Sequence, residues 1–190
     1  MGLSEIDLSK LGREKLASAV RATLEQSPEA LAGCLPNPNR LKQGAEATTA
    51  ERIEDASTYF QSLLEIGYLV ASADGFAAEE RHALATLLEH LTGAVLREDA
   101  FELHFQDLDQ AVEMLGRRER LRRAAADFED SIGRGEALGF AALVAIADGR
   151  LAEPEQKALL ELGSHFGLDE SHVSEAVNRV IERLRAGLEP

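Results

Sequence analysis

Apolar residues recur at helical intervals along almost the whole chain. From Ser4 to Gln26, Leu8, Leu11, Leu16, Val20 and Leu24 form one rough stripe, and Ser27-Pro28 stops it. Residues 35–49 hold Pro36, Asn37, Pro38 and Gly44, turn and loop formers that predict a linker. A long helix is predicted from Thr49, a fitting N-cap, to about Ala73. Its second half, Leu63 to Ala73, is apolar on nearly all sides, as a central buried helix would be. Asp74-Gly75 ends it. Leu84, Leu87, Leu88 and Leu91 pattern the next helix, closed by Thr92-Gly93. Glu98–Gln106 reads as a short helix, and Asp109 to about Asp127 as another, with Val112, Leu115 and Leu121. Gly133 to Gly135 break the chain before a second central helix, Glu136–Ala147. Pro154 then suits a helical first turn. That helix packs through Leu159, Leu162 and Phe166 and ends at Gly167. Asp169 caps a last helix carrying Val173, Val177, Val180, Ile181 and Leu184. No strand is needed. The expected fold is all-α, with about seven to eight helices. Residues 1–48 are expected to be an N-terminal helix and linker, and 49–190 the main domain.

The two central helices belong to a repeat. Residues 63–93 superpose on 137–167 by a shift of 74. Leu64 falls on Leu138, Leu69 on Leu143, Val70 on Val144 and Ala71 on Ala145. Ala73-Asp74-Gly75 falls on Ala147-Asp148-Gly149, Glu79 on Glu153 and Gly93 on Gly167. This is a duplicated helix–turn–helix unit. Neither copy could bury its apolar helix alone, and two copies can do so about a pseudo-twofold axis.

Composition narrows the function. With 45% hydrophobic and 28% charged residues the chain is globular rather than disordered. Its net charge of −14 argues against nucleic acid or an anionic membrane as partner, since each needs a broad basic surface. From Glu51 to Gln110 there are 13 acidic side chains against three basic ones, which would attract cations or a basic protein partner. The basic cluster Arg117–Arg123 reads as a solvated face, with Glu113–Arg117 and Glu119–Arg123 at i, i+4. Cys34, the single cysteine, excludes an intrachain disulfide and a cysteine-based zinc site. The longest apolar run, Ala137–Ala147, falls short of the ~20 residues a membrane span needs. Residues 1–26 lack a basic start followed by an apolar core, so a cytoplasmic protein is expected.

The Asp-Gly pairs carry the candidate chemistry. Glycine at a helix end takes the left-handed conformation without steric cost. Aspartate there faces the negative end of the helix dipole, at a cost of ~0.3–1 kcal/mol. The placement occurs twice, so something should offset it. An Asx-type turn, a cap for the next helix and a bound cation are the candidates. The cap reading arises because Ala78 and Ala152, at natural N-cap positions, cannot cap. Glu79, Glu80, Glu153 and Glu155 lie in the first turn of the following helices. Glu80 precedes Leu84 by four, and Glu155 precedes Leu159 by four, so both project toward the core side. Clustered hard oxygen ligands suit Ca²⁺ or Mg²⁺. The turns are not EF-hand loops: Val144 and Ile146 would occupy the first ligand positions, and Arg81 the last one of the first copy.

Ala-Asp-Gly, then a small run and Glu-Glu or Glu-x-Glu, twice in order on apolar helices, resembles the tellurite-resistance TerB family and the similar domain of the DjlA co-chaperone. The match covers about Arg52 to Gly187. The resemblance implies a duplicated all-α domain, a non-enzymatic stress-response role, and metal binding at Asp74, Glu79 and Glu80 in one copy and Asp148, Glu153 and Glu155 in the other. The family often has Ser or Thr just before the glutamates, where this chain has Ala78 and Ala152. The rival expectation is an interaction module whose acidic face docks a basic partner. An enzyme ranks third. Glu79-Glu80-Arg81-His82 contains the Glu-x-x-His of diiron bundles, but Glu161 to His165 has the wrong spacing for a second motif.

Overall fold

The computed structural model describes Val20 and residues 50–91 and 98–186. Among them there are seven helices and no strand: α1 (Ala50–Ala71), α2 (Ala78–Leu91), α3 (Glu98–Leu115), α4 (Arg117–Ala126), α5 (Ser131–Ala145), α6 (Glu153–His165) and α7 (Glu170–Ala186). The all-α expectation therefore holds. The predicted helix at 4–26, the linker at 35–49, the Thr49 cap, the Thr92-Gly93 stop and the boundary at 48/49 lie outside the described residues. The exception is Val20, which is buried in the core.

The two apolar helices are the centre of the molecule. Leu63, Ile66, Leu69 and Val70 of α1 and Leu138, Phe140, Leu143 and Val144 of α5 are almost fully buried. The α1–α5 contact is the most extensive in the fold. Gly67 makes it possible: a Cβ there would stand 2.7 Å from the Phe140 ring and 2.9 Å from Leu84. The outer helices are shared crosswise. α2 packs on α5 as well as on α1, and α6 on α1 as well as on α5. Each unit thus covers the other's central helix, as a duplicated pair that cannot bury its apolar surface alone requires. α4 lies along α1, and α7 along α5. The α7 stripe is Val173, Val177, Val180, Ile181 and Leu184, all buried, and Asp169 caps the helix by accepting from His172 N at 3.0 Å.

Two boundaries are displaced from expectation. Glu98 to Leu115 is one helix, because nothing near residue 107 breaks it and Leu108 faces the core. The break falls at Gly116, whose φ of +81° only glycine adopts freely. α5 begins at Ser131 rather than Glu136. Asp130 caps it by accepting from Gly133 N at 2.7 Å, and that cap holds Gly133 and Gly135 in the helix. The basic cluster is also more than a solvated face. Arg123 pairs with Glu119 as expected, and Arg122 joins the same carboxylate. Arg120 instead grips the nearly buried Glu65 of α1 with two hydrogen bonds, at 2.5 and 2.6 Å. Arg117 reaches the C-terminus of α1 rather than Glu113. It donates to Leu69 O, to Ser72 Oγ and to Ser72 O. A cation there satisfies orphan carbonyls and faces the favourable end of the helix dipole.

Candidate functional site

Both Asp-Gly turns come together where α1 and α5 end. Gly75 and Gly149, each four residues past the last residue of its central helix, have positive φ, +116° and +87°, and the chain turns back there for the next helix. Asp148 forms the Asx-type turn: its Oδ1 accepts the backbone N–H of Arg150 at 2.9 Å.

Neither following helix has a side chain at the N-cap able to accept. The glutamate three residues on acts instead. Glu80 Oε2 accepts Ala77 N at 2.8 Å, and Glu155 Oε2 accepts Ala152 N at 2.7 Å. Each is half of a capping box, the other half lost to alanine. The backbones agree, since Arg81 N bonds Ala77 O and Gln156 N bonds Ala152 O. The matching pairs are therefore Ala77 with Ala152 and Glu80 with Glu155. They are separated by 75 residues rather than 74, so the second turn is one residue longer than the first. The ungapped superposition of Glu79 on Glu153 does not survive. In both turns the buried acid is the third residue of the helix.

The capping geometry aims both glutamates inward, as their spacing to Leu84 and Leu159 predicts. Glu80 is 2% exposed and Glu155 is fully buried. With Asp74 they form a group whose carboxylate oxygens, one from each, all lie within 4.8 Å of one another. It is the one such group of three or more His, Cys, Asp or Glu side chains among the described residues. Two of its buried oxygens, Asp74 Oδ1 and Glu155 Oε1, have no hydrogen-bond donor other than the neighbouring carboxyls. Burial pushes the Glu80 carboxyl well above the usual range, and negative Asp148 and Asp74 add to the rise. Burial raises Glu155 further, helped by its hydrogen bond with Glu80. The physical content is that two buried carboxyls facing each other cannot both ionise, so a proton is shared between them.

Asp148 stands beside the group but is already engaged. Arg150 Nε donates to Asp148 Oδ2 at 2.8 Å, and Arg150 Nη2 to Asp74 Oδ2 at 2.7 Å. One guanidinium thus joins the Asp of each turn. Residue spacing does not single out Arg150; its place directly after Asp-Gly, inside an acidic turn, is the available signal. The remaining expected site residues point away. Glu79 is exposed. The Glu153 side chain is 78% exposed and pairs with Lys157 at 2.6 Å. No histidine joins the acidic group, so the ligand set of a diiron centre is not assembled among the described residues.

The donor set is compatible with a hard cation. All three groups offer oxygen only, two of the oxygens have no donor outside the cluster, and the carboxylates come from the turn after α1 and the first turns of α2 and α6. No protein-family model, no curated protein and no solved structure matches the chain.

Proposed function

We propose that the chain is a non-enzymatic, TerB-like stress-response domain of the cytoplasm, and that it binds a divalent cation, Ca²⁺ or Mg²⁺, through Asp74, Glu80 and Glu155. The observation that carries the cation reading is the pair of buried oxygens, Asp74 Oδ1 and Glu155 Oε1, that no donor outside the carboxyl cluster reaches, set against a third carboxyl. Such oxygens need positive charge close by, because an uncompensated buried carboxylate is costly. A proton serves the two glutamates; a divalent cation could serve all three groups. Bound there, the ion would tie the two repeats together, since Asp74 and Glu80 belong to one and Glu155 to the other. The stress-response role rests on the Ala-Asp-Gly resemblance. The absence of any helix long and apolar enough to cross a membrane, among the described residues, is compatible with the cytoplasmic placement.

Calorimetric titration with Ca²⁺ and with Mg²⁺ tests the reading. Saturable binding is expected for the parent protein, lost in Asp74→Asn and in Glu155→Gln, and retained in Glu79→Gln and Glu153→Gln. Identical heats for the parent and an Asp74→Asn/Glu155→Gln double variant would overturn it.

A further inference from the structure

We infer that Arg150 is a resident counter-ion of this acidic pocket, and that a divalent cation enters by displacing its guanidinium from Asp74. The inference rests on the cation reading above and adds a regulator to it.

The geometry is specific. Asp148 is 1% exposed at its side chain and Asp74 11%, whereas Arg150 is 52% exposed. The guanidinium thus has solvent on one side and spans two nearly covered acids on the other. Asp148 anchors it twice, through Nε and through the backbone N–H of the same residue. The contact with Asp74 is a single bond from Nη2 at the far end of the fork, so it can break while the anchor holds. It occupies Asp74 Oδ2, while Oδ1 of the same carboxylate has no donor. A cation sharing Asp74 would sit beside a unit positive charge already in contact with that carboxylate.

The sequence sets this arrangement in one turn only. The residue after the first Asp-Gly is Phe76, which packs against Tyr68 and Phe105. The residue after the second is Arg150. The pocket therefore has one built-in cation for two aspartates. Arginine does not deprotonate in proteins, so it opposes a divalent ion at every accessible pH.

Arg150→Gln, which keeps a hydrogen-bond donor for Asp148 but removes the charge, should tighten Ca²⁺ binding about tenfold in calorimetric titration. That size lies between the exposed and the buried limits for a single ion pair. Unchanged or weaker Ca²⁺ binding in Arg150→Gln, with the parent still binding, would overturn the counter-ion role and leave the cation site standing. No binding by either protein would overturn both. A second readout uses the parent chain and needs no variant. In nuclear magnetic resonance, the Arg150 Nη signals should show slow rotation about Cζ–Nη without cation and fast rotation at Ca²⁺ saturation. Rotation that stays slow at saturation would contradict displacement.

Discussion

The two Asp-Gly turns share a positive-φ glycine and a glutamate cap and differ in what their loops are for. Each follows a buried helix and turns at a positive-φ glycine, and each leads into a helix whose third residue is a buried glutamate capping an alanine. In the first, the next side chain is Phe76, 5.2 Å from Tyr68 and 5.3 Å from Phe105 between ring centres, with the Arg81 guanidinium 4.8 Å above its ring. In the second, one residue longer, it is Arg150, bound to the aspartates of both turns. Duplication has kept what aims the glutamates and divided the remaining work. One loop packs, and the other supplies charge.

Truncating each loop residue should separate these roles. Phe76→Ala should cost the most, about 2–3 kcal/mol, below the range for a fully buried ring because Phe76 is only half-buried. That loss should be nearly independent of salt in urea unfolding. Arg150→Ala should cost about 1–2 kcal/mol, less than a buried charged hydrogen bond because the guanidinium is half exposed. Its cost should shrink as salt rises, and equal salt dependence in the two variants would erase the distinction.

The glutamates test what the turns share. Their folded-state affinity for protons is raised, so the stability they contribute is complete below the ordinary carboxylate range near 4.5. It is lost as pH rises through the folded value, about 7 for Glu80. Thermal unfolding without divalent cations should therefore show a decline from pH 5 to pH 8. Glu155→Gln, whose amide can accept from Ala152 N and donate to Glu80, should flatten it; an unchanged slope would mean the two acids do not share a proton. The smallest effect is a gain. Ala77→Ser and Ala152→Ser should each complete a capping box and add about 0.5–1 kcal/mol. Ala152 already has the extended backbone of an N-cap, φ −70° and ψ 157°. A gain at one site only would show that the two turns are not equivalent.

The fold was legible where burial is nearly complete. Leu63–Ala73 and Ala137–Ala147 stand out because no polar residue but Glu65 and Ser72 interrupts them, and the fold answers one of these two with a long-range ion pair, the other with a long-range hydrogen bond. The inward phase of Glu80 and Glu155 followed from four-residue spacing to Leu84 and Leu159. What spacing does not carry is loop length: one additional residue before Ala152 shifts the register, so an ungapped superposition groups Glu79 and Glu153 with acids they do not meet. Gly133 and Gly135 read as breakers because the strength of the Asp130 cap depends on geometry. Arg150 and Arg117 act on groups 76 and 45 to 48 residues away, and helical periodicity holds no information about such partners.

The most direct test of the cation site is anomalous diffraction from crystals grown with Mn²⁺, a hard divalent ion that carboxylates accept. The account predicts a peak bounded by Asp74, Glu80 and Glu155, with the Arg150 guanidinium turned away from Asp74. A pocket without a peak, or a peak only on the exposed glutamates 79 and 153, would contradict it.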